Sequence, residues 1–206
     1  MNCKKTQIIF TKSSPFFIVN GQNVTDENNN SINVKAVTAI CRCGKSQSMP
    51  YCDNNHEKDR VVIKKSHERD KNKWKSYKGE KITVHFNLGL CSHVGLCLKL
   101  LPSVFNLDSR PWINADGASV EEIIQLISKC PSGALAYTKD GQYIADFDSD
   151  AVIIISAKGP ITVRGDVELI DEDESIKQLK AQKRYTLCRC GKSKNQPFCD
   201  GTHQQN

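Results

Sequence analysis

The hexapeptide Cys-Arg-Cys-Gly-Lys-Ser occurs twice in the chain, at residues 41–46 and again at residues 188–193. A third cysteine and a histidine follow each copy at the same distances, so the spacing C-x-C-x8-C-x3-H appears twice without an insertion. The candidate ligands are Cys41, Cys43, Cys52 and His56 in the first repeat and Cys188, Cys190, Cys199 and His203 in the second. This duplication predicts two small domains of one kind, one towards each end of the chain.

The residue types in both repeats are those of a metal site. Thiolates bind iron and zinc well and imidazole suits both metals, so four such groups at fixed spacing supply a complete set of protein ligands. Buried, reduced cysteines beside incidental histidines would not explain why both repeats have the same spacing. Ligand type alone leaves the metal open and, by general frequency, favours zinc.

The composition agrees with small modules stabilised by metals. Of the 206 residues, 38% are hydrophobic and 7% are aromatic, which is a thin supply for a single deep core. Residues 1–10 lack the apolar stretch of an export signal, so we expect reduced cysteines and a cytoplasmic protein. No run of about 18 apolar residues is present, and we expect no membrane-spanning segment.

The formal net charge of +6 comes largely from one basic stretch, which lies between Lys58 and Lys81. Its other basic residues are Arg60, Lys64, Lys65, Arg69, Lys71, Lys73, Lys75 and Lys78. A nucleic-acid surface and a solvated linker are both compatible with such charge. Because no aromatic ladder or nucleic-acid motif accompanies it, the pattern favours a basic linker over residues 58–79 and no nucleic-acid partner.

Hydrophobic periodicity predicts β-strands ahead of the cysteines in each repeat. In the first repeat, residues 16–19 and 34–40 have the apolar content of strands. In the second, residues 161–169 alternate around Gly165, which predicts a β-hairpin whose further partner strand is residues 185–187. Neither repeat has many apolar positions, so the two sheets are expected to share one core.

The middle of the chain has a different pattern. Alternating apolar residues predict a strand at Ile82, Val84 and Phe86, and apolar residues at helical spacing predict a helix containing Val120, Ile123, Ile124 and Ile127. Ser119 and Glu122 form the capping-box pattern at the start of that helix. We therefore expect a mixed α+β domain between the repeats.

The second repeat, CRCGKSKNQPFCDGTH, resembles the CDGSH iron–sulfur domain family. The resemblance implies a 2Fe-2S cluster held by three cysteines and one histidine in each repeat, and strands shared between two copies of the domain. The first repeat, CRCGKSQSMPYCDNNH, keeps the four ligands but has Asn54 and Asn55 where the family has glycine and a small residue. Asparagine tolerates a left-handed backbone, so we expect the turn to survive.

Four polar residues near the ligands are expected to support them without binding the metal. Asp53 and Asp200 directly follow a cysteine ligand, and we expect them to accept hydrogen bonds and to cap the short helix that carries the histidine. Ser46 and Ser193 belong to the motif of each repeat and are likewise expected to support the ligands without binding the metal.

Three further cysteines, Cys91, Cys97 and Cys130, resemble those of a divergent single-cluster ferredoxin, with Pro131 completing a Cys-Pro pair. Val94 occupies the position of the second of the four cysteines in that pattern, and a valine cannot bind iron. The resemblance implies a 3Fe-4S cluster on three cysteines, or a 4Fe-4S cluster in which His93 is the fourth ligand. An ordinary surface role for His93 is an equal alternative.

Together these patterns predict an α+β protein in which two CDGSH-type domains, paired as an internal pseudo-dimer, flank a ferredoxin-like domain. The expected boundaries are residues 1–57, 58–79 for the linker, 80–140 and 141–206. The predicted function is electron transfer or cluster transfer to partner proteins by a monomer or homodimer, without enzymatic activity. The alternative function is a zinc-binding structural or interaction module.

Overall fold

The computed structural model describes residues 5–58, 73–173 and 183–205. Most of the basic segment, including residues 59–72, lies outside these ranges. The described residues form an α+β structure that is mostly sheet. Its strands are β1 (Gln7–Phe10), β2 (Phe16–Val19), β3 (Val24–Thr25), β4 (Val37–Ile40), β5 (Trp74–Lys78), β6 (Thr83–Asn87), β7 (Leu135–Lys139), β8 (Gln142–Ile144), β9 (Val152–Ile155), β10 (Ile161–Arg164), β11 (Glu168–Asp171) and β12 (Arg184–Leu187). The helices are α1 (Asn55–Lys58), α2 (Leu96–Leu100) and α3 (Val120–Lys129), with 3-10 turns at Leu88–Leu90 and Thr202–Gln205.

The two repeats exchange strands. One sheet has the order β11-β1-β2-β4 and the other has the order β12-β10-β9-β3, so each sheet takes three strands from its own repeat and one from the other repeat. The exchanged strands pair in parallel: Ile8 on β1 is opposite Leu169 on β11, and Val24 on β3 is opposite Ile153 on β9. The contacts within each repeat are antiparallel.

The two sheets enclose one hydrophobic core, as the thin apolar supply of each repeat predicts. Alternate residues of the strands face inwards because successive side chains of a strand point to opposite faces. The core contains Ile8, Phe10, Phe16, Ile18, Val24, Ile40, Ile153, Ile155, Ile161, Val163, Val167, Tyr185, Leu187 and Phe198. Neither repeat encloses a core alone, so their stability is shared.

The predicted hairpin over residues 161–169 is wrong. Residues 161–164 and 168–171 are both strands, but β10 pairs with β9 and β12, whereas β11 pairs with β1 in the other sheet. Gly165 lies at the turn with φ of 74°, and a Cβ there would be 2.5 Å from the carbonyl oxygen of Asp150. Period-two alternation identifies strands but not their partners, and here the chain crosses to the other repeat.

The central domain is a four-stranded antiparallel sheet, β5-β6-β7-β8, packed against α2 and α3. The predicted helix is confirmed, and so is its capping box: the Ser119 side chain accepts from the N–H of Glu122, and the Glu122 side chain accepts from the N–H of Ser119. Ile123 and Ile127 are fully buried between the helix and the sheet.

A buried arginine joins the central domain to the second repeat. Arg184, on β12, donates to the carbonyl oxygens of Ile127 at 2.7 Å and Ala145 at 2.6 Å, and so satisfies one of the free carbonyls at the end of α3. None of the helices in the described ranges is both long and apolar enough to cross a membrane.

Candidate metal centres

Each repeat brings its four predicted ligands together as two close pairs. The first two cysteines follow directly after the last strand of the repeat, β4 or β12. The Sγ atoms of Cys41 and Cys43 are 3.7 Å apart, and those of Cys188 and Cys190 are 3.6 Å apart. The remaining ligands form the second pairs: Cys52 Sγ is 3.5 Å from His56 Nδ1, and Cys199 Sγ is 3.4 Å from His203 Nδ1.

These pair distances fit metal binding. Two thiolates that each lie about 2.3 Å from one tetrahedral metal ion are about 3.8 Å apart, close to the separations observed. Each pair therefore has the spacing to hold one metal ion. Among the described residues, no group of three or more His, Cys, Asp or Glu side chains is arranged to hold a single ion.

A serine in each repeat closes the loop between the second and third cysteines. Ser46 Oγ donates to the carbonyl oxygen of Tyr51 at 2.6 Å, and Ser193 Oγ makes the same bond to Phe198, also at 2.6 Å. Each Oγ also accepts a backbone N–H two residues further on. The two loops are therefore held by equivalent hydrogen bonds, which keeps the ligand geometry alike.

The aspartates that follow the third cysteine of each repeat accept hydrogen bonds from backbone N–H groups on both sides. Asp53 accepts from the N–H groups of Gln47 at 2.7 Å and Asn55 at 3.1 Å, and Asp200 accepts from those of Lys194 at 2.8 Å and Thr202 at 3.0 Å. The bond from Gln47 holds the pKa of Asp53 below its usual value. Each carboxylate thus ties the loop to the turn that carries the histidine.

Asn54 adopts the left-handed conformation, as predicted. Its φ is 62°, and the matching residue of the second repeat, Gly201, has a φ of 84°. The two turns therefore have the same backbone shape. Their surroundings differ, because Asn54 is exposed whereas Gly201 is buried.

Several of the thiols in the two repeats lie in environments that disfavour the thiolate form. Burial raises the pKa of Cys43 and that of Cys199 to about 11. In the coupled pair of the second repeat, the hydrogen bond between the two thiols raises the pKa of Cys188 and lowers that of Cys190. Because a metal must displace these protons, binding at neutral pH is expected to release protons to solvent.

The arginine inside each C-x-C motif is buried and lies within electrostatic range of a cysteine of the other repeat. Arg42 is 1% exposed, and its guanidinium lies 5.0 Å from the ring centroids of both Phe10 and Phe16. Burial lowers the pKa of Arg42 to about 10, and negative charge on Cys188 of the other repeat opposes this shift. Burial likewise lowers the pKa of Arg189, and charge on Cys41 opposes it. The two arginines thus supply positive charge across the repeat boundary.

Some nitrogens of these arginines lack partners. Within the described ranges, Arg42 Nε and Nη2 and Arg189 Nε are buried without a hydrogen-bond acceptor. A buried cationic nitrogen without a partner is costly, and an anionic group nearby would offset this cost. Sequence reasoning passed over both arginines, although their identical places in the two repeats were a usable signal.

The two repeats approach each other directly at their ligand loops. A Cβ on Gly44 would lie 3.2 Å from the Cα of Cys190, and a Cβ on Gly191 would lie 3.0 Å from the carbonyl oxygen of Cys43. A cavity of about 170 Å³ opens beside this contact, lined by Cys190, Cys199 and His203 from the second repeat and by Gly44 from the first. Three of the four predicted ligands of the second repeat therefore line the same cavity.

The central cysteines lie near one another at the edge of the central domain. Cys91 follows the 3-10 turn at Leu88–Leu90, Cys97 is on α2 and Cys130 ends α3. Burial raises the pKa of Cys91 to about 11, and negative charge on Cys130 and Cys97 acts in the same direction. The three thiols are therefore close enough for the charge of one to influence the protonation of another.

Val94 and His93 lie beside these cysteines in the sequence and concern the possible fourth ligand of the central site. Val94 is 41% exposed, so position 94 is accessible to solvent. The Nδ1 atom of His93 lies 3.0 Å from the carbonyl oxygen of Asp200, in the second repeat, so Nε2 is the ring nitrogen left for a metal. This link between domains was not foreseen, because nothing in the local sequence indicates which surface His93 contacts.

Comparison with known proteins agrees with this arrangement of sites. The family model described as "Iron-binding zinc finger CDGSH type" matches residues 13–57 and 158–204, and the model described as "Divergent 4Fe-4S mono-cluster" matches residues 77–140. No solved structure matches the chain significantly.

Two kinds of relative match different shares of the chain. The uncharacterised protein YjdI of Escherichia coli strain K12 is 44% identical over 64 residues, which are 31% of this chain and 84% of that protein. The mitochondrial CDGSH iron–sulfur domain-containing protein 3 of Mus musculus is 65% identical over 26 residues, 13% of this chain and 19% of that protein. The chain therefore contains two segments of the CDGSH type, which flank a divergent 4Fe-4S mono-cluster segment.

Proposed function

We propose that the protein is an iron–sulfur carrier that holds a 2Fe-2S cluster in each repeat and a 3Fe-4S or 4Fe-4S cluster at the central cysteines. The observation that carries this proposal is the division of each ligand set into two pairs, at 3.4–3.7 Å. Two pairs suit two metal ions, one for each pair. A mononuclear zinc site would instead draw all four donors around one point.

In this function the clusters supply one-electron redox chemistry, and the protein controls their environment. Burial of Cys41, Cys188 and Cys199 keeps water from these ligands, and His56 and His203 lie on short helical turns, His56 buried and His203 partly buried. Arg42 and Arg189 place positive charge near an anionic cluster, which favours the electron-rich state. These are the means by which a protein sets the potential of a bound cluster.

The exchanged strands support a further part of the proposal. Because each sheet borrows one strand from the other repeat, the chain contains within itself the kind of pairing that two separate copies would otherwise make. We propose that the repeats form an internal pseudo-dimer and that the protein works as a cytoplasmic monomer without enzymatic activity. Its partners would be redox proteins or proteins that accept clusters.

A redox titration combined with a transfer assay tests this function. Anaerobically purified protein should undergo reversible one-electron reductions, monitored by its visible absorption, and should then exchange electrons with a small redox dye. Mixing with an apo-ferredoxin distinguishes the two carrier roles, because cluster transfer turns the acceptor brown and lowers the iron content of the donor, whereas electron transfer changes neither iron content. A Cys43→Ser, Cys190→Ser double variant is the control for the two terminal sites. Protein that is colourless and redox-silent when purified anaerobically contradicts the proposal.

A further inference from the structure

The central domain meets the second repeat at its ligand loop. His93 directly follows the Cys91–Ser92 step, and its Nδ1 lies 3.0 Å from the carbonyl oxygen of Asp200, the residue after the ligand Cys199. The charge of Cys199 also contributes to raising the pKa of Cys91, after burial and the nearer cysteines. One hydrogen bond therefore joins a loop of the central site to a loop of the second repeat.

Gly201 shows that this contact is close. A Cβ on Gly201 would lie 2.7 Å from the Cβ of His93 and 3.0 Å from the carbonyl oxygen of Ser92, so a side chain cannot fit without displacing the central loop. The first repeat has Asn54 at the matching position, with the same left-handed backbone and an exposed side chain. The second repeat therefore needs glycine for the contact, and not only for the turn.

Other contacts strengthen the same interface. The side chain of Asn195, in the loop of the second repeat, donates to the carbonyl oxygen of Gly89 at 3.0 Å. Arg184 binds the end of α3 next to Cys130. A Cβ on Gly133 would lie 2.9 Å from the carbonyl oxygen of Arg184. The interface thus extends from the ligand loop of the second repeat to the Cys130 side of the central site.

We infer that His93 is a positioning residue that fixes the central site against the second repeat, so that the three sites form a row with the second repeat in the middle. The second repeat contacts the central loop through Asp200 and Gly201, and it contacts the first repeat through Cys190 and Gly191. The inference rests on the proposed iron–sulfur function and adds the order of its sites. It predicts that the cluster of the central site and the cluster of the second repeat interact magnetically.

Magnetic interaction between reduced clusters tests this order. Two neighbouring paramagnetic clusters broaden each other's electron paramagnetic resonance signals, and distant ones do not. The full chain carrying Cys43→Ser keeps the central cluster and that of the second repeat, and should show broadened lines. The full chain carrying Cys190→Ser keeps the central cluster and that of the first repeat, and should show narrower lines. Equal broadening in the two variants would contradict the inference that the second repeat lies between the other two sites.

Substitutions at the contact test the role of His93. In the Cys43→Ser background, Gly201→Asn inserts the side chain that the first repeat tolerates and should remove the broadening with iron content retained. Asn54→Gly, the reciprocal change, is the matched control and should leave the broadening unchanged. Lines that stay broad in Gly201→Asn overturn the inference.

His93→Ala covers the case in which Gly201→Asn fails to fold. It should narrow the lines while the central iron content stays constant. If the central iron is lost or converted instead, His93 is a ligand and the positioning role is wrong. If every variant contains zinc and no sulfide, the proposed function itself has failed, which is a different result from broadening that does not respond to the contact.

Discussion

The shared core predicts that damage to one repeat reaches the cluster of the other. Ile8 lies on β1 of the first repeat, is fully buried, and pairs with Leu169 of the exchanged strand β11. Ile8→Ala removes core side-chain volume at the point where the two repeats meet. Ile9→Ala is the matched control, because Ile9 lies on the same strand but on its opposite, less buried face.

The expected magnitude follows from complete burial. Truncating a buried isoleucine to alanine costs about 2–5 kcal/mol of stability. Since about 1.4 kcal/mol corresponds to a tenfold change in an equilibrium constant, local opening should become roughly 30-fold to 4,000-fold more favourable. Ile9→Ala should cost much less, because its side chain already contacts solvent and leaves a smaller cavity.

Cluster loss is measured in backgrounds that keep one terminal cluster beside the central cluster, and the central cluster, present in both, is the internal reference. Cys190→Ser leaves the cluster of the first repeat and Cys43→Ser leaves that of the second, and the bleaching of each is followed in dilute denaturant by visible absorption. Ile8→Ala should accelerate bleaching in both backgrounds by similar factors. Acceleration confined to the cluster of the first repeat would refute a core shared between repeats.

Three further predictions concern the sites and their junction. Val94→Cys should supply the missing thiolate and give a stable 4Fe-4S signal by electron paramagnetic resonance, whereas an unchanged spectrum would show that position 94 does not face the metal. Because protons compete with iron for imidazole, His56→Cys and His203→Cys should slow cluster loss at mildly acid pH and lower the reduction potentials, and rates equal to those of the parent would exclude the histidines from the release step. Arg184→Met should lower the free energy of unfolding by about 2–6 kcal/mol in denaturant titrations, at about 1–3 kcal/mol for each of two carbonyls left without a partner, and a loss no larger than that of the exposed control Lys129→Met would contradict this.

The ligand sets and the start of α3 were predictable from the sequence, because the residues that form them are close together in the chain. The spacing of Cys188, Cys190, Cys199 and His203 predicts a set of ligands, and the structure brings these residues together in pairs. The capping box at Ser119 predicts the start of α3, since its hydrogen bonds join residues three apart. In each case the residues that interact are close in sequence.

Strand pairing and contacts between distant segments of the chain were not predictable from the sequence. The apolar alternation of β11 is satisfied equally by a hairpin with β10 and by pairing with β1, and only the assembled core decides between them. Similarly, Gly201 appears in the sequence as a turn residue, whereas its contact with His93 joins segments far apart in the chain. The inferred order of the three sites therefore depends on contacts between segments that are distant in the sequence.

Metal and sulfide analysis of anaerobically purified protein tests the central claim most directly. Because the ligands of each repeat form two pairs and three further cysteines cluster in the middle, the protein should contain iron and acid-labile sulfide in comparable amounts, with little zinc. Two 2Fe-2S clusters with one 3Fe-4S or 4Fe-4S cluster correspond to about seven or eight irons per chain. Colourless protein with one zinc ion per repeat and no sulfide would contradict the iron–sulfur assignment.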